Sequence, residues 1–287
     1  MKRENPSPLR YPGGKYKISK LIADIIKRAH RIGGVYIEPF AGGAGVALDL
    51  LFSDVVRSIV INDSDRAIYS FWRAILTQTE HFVDRLMTVD VSIWEWKRQR
   101  EIYRRSSRGY SLDLAFAAFF LNRANRSGIL SAGPIGGMTQ GEWKLDVRFN
   151  KAALREKIEK IATYKSRIKV CGKDVFSFID KVLPRVPDDA FVYFDPPYYK
   201  KGRVLYKNFF TPDLHKELRN SIVAKVKCPW IVSYDDVTEI RKLYHNYDAR
   251  DLSISYSLAN NGMGSEVMFF SASDMCVEAG KNKVRME

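Results

Sequence analysis

A strand, a glycine-rich turn, a helix and a second strand follow one another between residues 35 and 63, and this order restricts the fold more than any other feature of the chain. Val35-Tyr36-Ile37 and Ser58-Ile59-Val60-Ile61 are short apolar runs typical of buried strands. The turn Glu38 to Gly45 leads into an apolar helix over residues 46–52. Strands connected in this way lie parallel, with a right-handed crossover. We therefore predict a doubly wound α/β sheet.

Strand and helix patterns alternate again in the second half of the chain. Strand-like runs cover residues 168–170, 190–194 and 230–234, with helical patterns at 175–182 and 212–226. The segment between them and the first unit is rich in arginine and tryptophan, and its glycine-rich stretch, Gly128 to Gly141, has no clear helix or strand pattern. We predict one α/β domain formed by residues 1–76 and 165–287, interrupted by an inserted, mainly helical domain formed by residues 77–164.

Charge indicates the class of partner. The chain has 47 Lys and Arg residues against 33 Asp and Glu residues, a formal net charge of +14. This excess favours a polyanion, because a basic group placed against a phosphate releases condensed counterions. The alternative is a basic surface that serves only solubility.

Other features of the composition exclude several classes. No apolar window of about 20 residues predicts a membrane span. The three scattered cysteines, Cys171, Cys228 and Cys276, argue against a disulfide framework and are typical of the reducing cytoplasm. Neither the histidines nor the cysteines have the spacing of zinc ligands, so we predict no metal site.

The glycine-rich turn is the first candidate site. Glycine lets the backbone approach a ligand closely, although a purely structural turn fits the same residues. Asp63 favours the ligand, because it ends the next strand about 20 residues further on, where an acidic side chain typically binds the ribose of an adenosine cofactor. The turn lacks the fuller Gly-x-Gly-x-x-Gly pattern of nicotinamide nucleotides.

The second candidate site is Asp195-Pro196-Pro197-Tyr198, directly after the strand at residues 190–194. The two prolines restrict the backbone, so the Asp195 carboxylate and the Pro196 carbonyl are held at the strand's carboxyl end, where α/β sheets bind ligands. Two such acceptors can bind both N–H groups of an adenine amino group and direct its lone pair at a methyl donor. Tyr198 can stack on the base, which has to leave the double helix to reach the pocket. The alternative is a rigid turn with a solvated Asp.

These motifs resemble those of the D12-class (Dam-like, alpha-group) adenine-N6 DNA methyltransferases. The similarity is carried by Tyr11-Pro12-Gly13-Gly14-Lys15, by the glycine-rich turn and by Asp195-Pro196-Pro197-Tyr198, in that order, and covers nearly the whole chain. Phe120 to Arg123, Ile231 to Asp235 and Glu266 to Phe270 match further family motifs. The resemblance implies a Rossmann-like methyltransferase sheet, S-adenosylmethionine as cofactor, and methyl transfer to N6 of a flipped-out adenine in duplex DNA by direct displacement.

The resemblance also implies which residues form the site. The catalytic residues are Asp195, Pro196, Pro197 and Tyr198. The cofactor-binding residues are Tyr11, Gly13, Gly14, Lys15, Glu38, Pro39, Phe40, Gly42, Gly45, Asp63, Asp174 and Asp195. Within this set, Glu38, Phe40 and Gly42 line the methionine end of the cofactor, Asp63 binds its ribose, and Asp174 contacts its adenine.

The insertion is the predicted target-recognition domain. Arginine pairs with phosphate or guanine, and aromatic rings stack on bases. The predicted DNA-binding residues are Arg98, Arg105, Asn122, Arg123, Asn125 and Arg126. The alternatives are that Trp94 and Trp96 are core residues and that the run from Lys97 to Arg105 is a solvated helix face.

Three other functions fit parts of the pattern. Methylation of a protein amide is usually associated with Asn-Pro-Pro-Tyr, and Asp195 argues against it. RNA adenine would need the same catalytic geometry, and a DNA-binding module without turnover would keep the basic insertion. We expect a monomeric cytoplasmic enzyme whose partner is double-stranded DNA. It would act either with a cognate restriction endonuclease in a restriction-modification system or as a solitary or phage methylase.

Overall fold

A computed structural model describes residues 4–10, 15–106, 109–200, 210–255 and 263–276. In these residues the strands form a seven-stranded sheet in the order β3-β2-β1-β4-β5-β7-β6. The strands are β1 (Val35–Glu38), β2 (Ser58–Asn62), β3 (Ile168–Cys171), β4 (Ala190–Phe194), β5 (Trp230–Asp235), β6 (Ala249–Ser255) and β7 (Met263–Phe270). Strands β1 to β5 are parallel, and β7 is antiparallel to both of its neighbours. The predicted Rossmann-like α/β sheet is confirmed.

Helices connect the strands. They are α1 (Ser19–Arg28), α2 (Gly45–Phe52), α3 (Arg66–Thr77), α4 (Thr79–Thr88), α5 (Ile93–Arg105), α6 (Leu112–Ala124), α7 (Lys151–Thr163), α8 (Val175–Lys181), α9 (Pro212–Lys225) and α10 (Thr238–Leu243). Several begin where a short polar side chain can accept a hydrogen bond from a free backbone N–H of the first turn. Asp65, Ser92 and Ser111 do this for α3, α5 and α6.

The sheet is covered on both faces, because its strands are apolar on both sides. Side chains alternate along each strand, so Phe191 and Tyr193 of β4 pack into a cluster with α1, α2 and α3. Val192 and Phe194 point the other way and pack against α8, α9 and α10. The neighbouring strands β1 and β4, between which the strand order reverses, are thus buried on both faces of the sheet.

The insertion shares its core with the sheet domain. Phe71 of α3 stacks on Phe119 of α6, with ring centroids 5.7 Å apart and planes at 5°. Phe82 of α4 contacts both rings, at centroid distances of 5.7 and 5.4 Å. The insertion is mainly helical, as predicted, but this aromatic cluster crosses its predicted boundary at residue 77. Residues 77–164 are therefore a proposed functional division and have no separate hydrophobic core.

Within the described ranges, none of the helices combines the length and the apolar character that crossing a lipid bilayer requires.

Candidate active site

Strand order reverses between β1 and β4, and in an open α/β sheet the crevice outside the carboxyl ends at such a reversal binds ligands. Glu38 is the last residue of β1, and Asp195 directly follows β4. Because β7 is antiparallel, its early residue Glu266 lies at this same edge, opposite Asp235 of β5. Acidic side chains from three strands therefore meet at the switch point.

Asp195 has one oxygen held by the protein and one open. Its Oδ1 accepts a hydrogen bond of 2.8 Å from Ser233 Oγ and lies 3.0 Å from Lys15 Nζ. Ser233 in turn lies 2.8 Å from the Tyr193 hydroxyl. Among the described residues, neither Asp195 Oδ2 nor the Pro196 carbonyl accepts a hydrogen bond from the protein. The Asp195 side chain is 25% exposed, so a substrate can reach these two acceptors.

Lys15 connects Asp195 to a second carboxylate. Its Nζ lies 3.2 Å from Glu266 Oε1, and the Tyr198 hydroxyl donates a 2.9 Å hydrogen bond to that same oxygen. Burial opposes the charge of Lys15, but the carboxylates of Asp195 and Glu266 outweigh it and raise the pKa of the ammonium well above its usual value. Lys15 therefore stays protonated and fixes the orientation of both carboxylates.

Two other acidic groups at this edge, Glu266 and Glu38, have raised pKa values. Burial, opposed by Lys15, raises the pKa of Glu266 to about 7. Burial, opposed by a hydrogen bond from the Tyr36 hydroxyl, raises the pKa of Glu38 to about 8. Glu266 Oε2 is buried and has no hydrogen-bond partner among the residues that the structure describes. Lys15 lies between Asp195 and Glu266, and Glu38 adds a further carboxyl group at this edge. A cation bound beside Glu38 and Glu266 would lower their raised pKa values and favour their charged forms.

Asp63 holds the glycine-rich turn. Its Oδ2 accepts a 2.9 Å hydrogen bond from the Gly42 amide, and its Oδ1 accepts one of 2.8 Å from the Asp65 amide. Burial and the negative charge of Asp65 raise the pKa of Asp63 to about 7. Gly42 has a φ of +47°, which a residue with a Cβ adopts only with strain. The turn is therefore fixed by the acidic residue predicted to bind the ribose.

Gly45 packs closely against the N-terminal segment. A Cβ at this position would lie 3.1 Å from Asn5 Oδ1 and 3.2 Å from Tyr16 Cβ. Pro39 is buried, and its carbonyl accepts a 2.9 Å hydrogen bond from Asn62. These two predicted cofactor residues shape the turn through its backbone.

The remaining predicted cofactor residues are placed as follows. Tyr11, Gly13 and Gly14 lie outside the described residues. Phe40 is half-buried, with its ring 6.0 Å from that of Phe210. Asp174 is exposed at the start of α8, where hydrogen bonds from Ser177 lower the pKa of its carboxyl group.

The side-chain amides of Asn122 and Asn125 use both their oxygen and their nitrogen in hydrogen bonds within the protein. Asn122 accepts from the Arg10 amide at 2.7 Å and donates to the carbonyls of Arg10 and Gly128. Asn125 accepts from Trp96 Nε1 at 2.7 Å and donates to two carbonyls of the following loop. Both side chains are buried. The expected direct contact with DNA is not supported for these two, because it would require breaking these bonds.

The predicted arginines differ in their surroundings. Arg98 and Arg105 are exposed on α5 and pair with Glu95 and Glu101. Arg126 is exposed beyond α6. Arg123 donates to the Arg148 carbonyl at 2.7 Å, and burial together with two neighbouring arginines lowers its pKa to about 10. Of the tryptophans, Trp96 is a core residue and Trp94 is 71% exposed.

Sequence reasoning did not select Ser233, Tyr193 or Glu266 as site residues. A signal exists for Glu266, since this acidic residue directly precedes the apolar run Val267 to Phe270, and glutamate is rarely buried unless it is paired. Ser233, between Val232 and Tyr234, carries a weaker signal of the same kind. Tyr193 has none, because tyrosine is common in strands.

Comparison with known proteins agrees with these motifs. The family described as D12 class N6 adenine-specific DNA methyltransferase matches residues 11–257. The Type II methyltransferase M.MjaIII of Methanocaldococcus jannaschii is 24% identical over 205 residues, which cover 66% of this chain and 68% of that protein.

Solved structures are more distant. The rRNA methyltransferase aviRa of Streptomyces viridochromogenes has a TM-score of 0.38 and 17% identity, covering 92% of this chain and 88% of its own. The putative methyltransferase yhhF of Escherichia coli has a TM-score of 0.41 and 12% identity, covering 93% and 91%.

Proposed function

The chain belongs to the D12 class of N6 adenine-specific DNA methyltransferases, and from that premise we propose that it methylates N6 of an adenine flipped out of duplex DNA, with S-adenosylmethionine as donor. The observation that carries this proposal is the state of Asp195. One oxygen is held by Lys15 and Ser233, while the other is open beside an open Pro196 carbonyl. A pair of fixed acceptors is what an amino group with two N–H bonds requires.

The acidic residues at the switch point fit the proposed cofactor. S-adenosylmethionine supplies a methyl group on a sulfonium, and it also carries an ammonium. A bound cation would favour the charged forms of Glu38 and Glu266, and among the described residues the buried Oε2 of Glu266 has no hydrogen-bond donor. Asp63 keeps further lone pairs beyond its bonds to Gly42 and Asp65, and these can accept from ribose hydroxyls. Tyr11, Gly13, Gly14 and Lys15 are proposed to close the site.

Catalysis by this arrangement would depend on orientation and electrostatics. The adenine amino group is a poor nucleophile, because its lone pair is delocalised into the ring. Asp195 Oδ2 and the Pro196 carbonyl each accept a hydrogen bond from one of its two N–H groups. The nitrogen lone pair then points at the methyl carbon. S-adenosylmethionine, when bound, would supply the methyl carbon, whose bond to sulfur would break as the C–N bond formed. Asp195 Oδ2 would then take the surplus proton from the methylated nitrogen. Preorganised acceptors stabilise the positive charge that develops on nitrogen.

Tyr198 is proposed to position the base. Its hydroxyl is anchored on Glu266 at 2.9 Å, and its ring lies 5.2 Å from Lys15 Nζ. The ring is therefore held rigidly beside Asp195. A rigid aromatic ring can stack on an extruded base and repay part of the cost of unstacking it.

The insertion is proposed to bind the DNA around the target. The net charge of +14 favours a polyanion. Arg98, Arg105 and Arg126 are the exposed members of the predicted DNA-binding set, whereas Asn122, Asn125 and Arg123 support the insertion from inside. We also propose that the protein acts as a monomer, with a cognate endonuclease or as a solitary methylase.

The test is substitution of Asp195 combined with mapping of the product. Expressed in a host without DNA methylation, the wild-type protein should produce N6-methyladenine at a fixed sequence, read by single-molecule sequencing. Asp195→Ala should abolish the modification while keeping the fold and most of the affinity for DNA. Asp180→Ala is the matched control, because Asp180 is an exposed carboxylate near the end of α8 that pairs with Lys225 of α9.

Near-normal transfer by Asp195→Ala would contradict the proposed mechanism. Methylation of RNA and not of DNA would contradict the proposed substrate. Binding of S-adenosylmethionine in calorimetry, with no transfer to any duplex, would identify a binding module without turnover.

A further inference from the structure

An open cleft of about 720 Å³ lies where the start of α3, the helix α5 and the loop after α6 meet. Its lining includes Ser64, Arg66, Arg100, Tyr103, Arg104 and Ser131. The apolar side chains of Leu114 and Leu130 form part of its floor. The cleft thus combines a basic rim, serine hydroxyl groups and an aromatic ring.

The charge of this cleft is not balanced from within. Arg66, Arg100 and Arg104 face one carboxylate, Asp65, whose Oδ1 already accepts from the Ala67 amide to cap α3. In the described ranges, none of the three arginines forms an ion pair with a carboxylate. Arg66 donates to the Ser106 carbonyl, and its buried Nε has no hydrogen-bond partner in the described part of the chain. The cleft therefore retains donors and positive charge for an anionic ligand.

The other side of α5 is different. Arg98 pairs with Glu95, Arg105 pairs with Glu101, and Asp113 lies beside them in the shallower depression on that side. Arg100 and Arg104 are four residues apart, so they share one helix face, while Arg98 and Arg105 are seven apart and share another. Only the first face presents unbalanced arginines, and Arg100 is further ordered by its place 4.9 Å from the Trp96 ring.

The cleft and the candidate active site are formed by residues that are adjacent in the sequence. Ser64, in its lining, directly follows Asp63, which holds the glycine-rich turn. A strand whose base enters the crevice at the switch point has its sugar-phosphate backbone outside that crevice. Unbalanced arginines next to the crevice are the chemistry that a phosphodiester requires, since guanidinium pairs with phosphate in a bidentate way.

We propose that this cleft is the site where the protein binds the phosphodiester backbone of its DNA, with Arg66, Arg100 and Arg104 contacting phosphates. Tyr103 and Leu130 offer an apolar surface to the adjoining sugar or base. The face of α5 with Arg98 and Arg105 contributes less, because its charge is neutralised locally. This inference rests on the proposed function and specifies where its DNA lies.

The test compares the two faces of α5 by the salt dependence of DNA binding. Affinity for a duplex of about 30 base pairs is measured by fluorescence anisotropy over a range of salt concentrations, because each phosphate contact adds about 0.9 to the logarithmic slope. The variants are Arg100→Ala with Arg104→Ala, and Arg98→Ala with Arg105→Ala. A charge-matched control is Arg155→Ala with Arg241→Ala, two exposed arginines that pair with carboxylates elsewhere.

We expect the Arg100 and Arg104 variant to lower the slope by about 2 and the affinity roughly tenfold near physiological salt. The Arg98 and Arg105 variant should lower the slope by less than half as much, and the control should leave it unchanged. Equal losses in the two α5 variants would indicate a general effect of charge and overturn the proposal. No loss in the Arg100 and Arg104 variant, or a greater loss in the Arg98 and Arg105 variant, would also overturn it.

Two further measurements separate other causes. Circular dichroism and thermal unfolding establish that each variant is folded. If the double variant unfolds, the test is repeated with Arg104→Ala alone, because this change removes only an exposed side chain. Methyl transfer by the wild-type protein to the same duplex tests the proposed function separately. If the wild type methylates DNA while the slope of the Arg100 and Arg104 variant is unchanged, the cleft proposal alone fails.

Discussion

Asp195 depends on Ser233 and Lys15 for its orientation, since both contact the same carboxylate oxygen, at 2.8 and 3.0 Å. A carboxylate held in this way can turn only its other oxygen to a substrate. The fixed oxygen thus determines where the open one lies. Such second contacts position a catalytic group although they do not touch the substrate.

Ser233→Ala should therefore reduce methyl transfer without preventing cofactor binding. A hydrogen bond to a charged group contributes about 1.5–3 kcal/mol, which corresponds to a fall in kcat of roughly 10- to 100-fold if it is lost in the transition state. Steady-state kinetics with labelled S-adenosylmethionine would measure kcat and KM separately. We expect KM for the cofactor to change little.

Tyr193→Phe provides the comparison for this prediction. It removes the hydroxyl that contacts Ser233 but keeps the hydrogen bond from Ser233 to Asp195. The fall in kcat should be smaller than that of Ser233→Ala. An unchanged kcat in Ser233→Ala would show that Lys15 alone orients the carboxylate.

At the scale of elements, α6 is attached to the N-terminal segment through Asn122. The Asn122 amide group bonds both the N–H and the carbonyl of Arg10, and it also reaches the carbonyl of Gly128. Gly128 must approach closely here, because a Cβ on it would lie 2.4 Å from the Arg10 carbonyl oxygen. Asn122 thus holds the segment that leads into Lys15 against the insertion.

Asn122→Ala should destabilise the protein more than it affects DNA contact. Loss of these bonds leaves buried backbone groups unsatisfied, so we expect the free energy of unfolding in urea to fall by about 2–4 kcal/mol. Asn220→Ala, at an exposed position of α9, should change it by less than about 0.5 kcal/mol. Unchanged stability with lost DNA affinity would restore the direct contact that the motif implied.

The strands that precede the motifs could be predicted from the sequence, whereas the order of those strands in the sheet could not. The runs at residues 35–37 and 190–194 are apolar and short, and they do form the strands β1 and β4. That β4 lies beside β1, and not beside β3, is a pairing between distant segments that no local pattern contains. The two faces of α5 are a similar case, because only the packed helix shows which arginines are already neutralised.

At the scale of the molecule, acidic groups with raised pKa values connect stability to pH. Glu38, with a pKa of about 8, and Glu266, with one of about 7, bind protons more tightly in the folded than in the unfolded chain. Their contribution to stability is complete below the ordinary carboxyl pKa and is lost as pH rises through about 7 to 8.

Replacing both carboxyl groups should therefore remove a pH dependence. The free energy of unfolding of Glu38→Gln with Glu266→Gln, relative to wild type, should rise between pH 5 and pH 8.5, by up to about 1.4 kcal/mol per pH unit and group. Denaturation of the cofactor-free proteins at several pH values would measure this difference. A difference that stays constant with pH would show that these groups do not titrate in this range.

The shared core also makes a prediction about cooperativity. Because Phe71, Phe82 and Phe119 pack across the boundary at residue 77, the insertion and the sheet should unfold in one transition. Phe119→Ala should lower the free energy of unfolding by about 3–5 kcal/mol and shift that single transition as a whole. Far-UV circular dichroism and tryptophan fluorescence should give coincident curves, and two separated transitions would contradict a shared core.

The sequence alone determined the class of fold, the carboxyl-end positions of Asp63 and Asp195, and an excess of positive charge that favours a polyanionic partner. These follow from local hydrophobic patterns, from residues next to strand ends and from total charge, and none of them needs a distant contact. Tertiary structure decided that Lys15, Asp195, Ser233 and Glu266 form one cluster, because strand order and the reversed direction of β7 bring them together. It also decided which donors remain open, since a side chain's availability depends on everything packed around it.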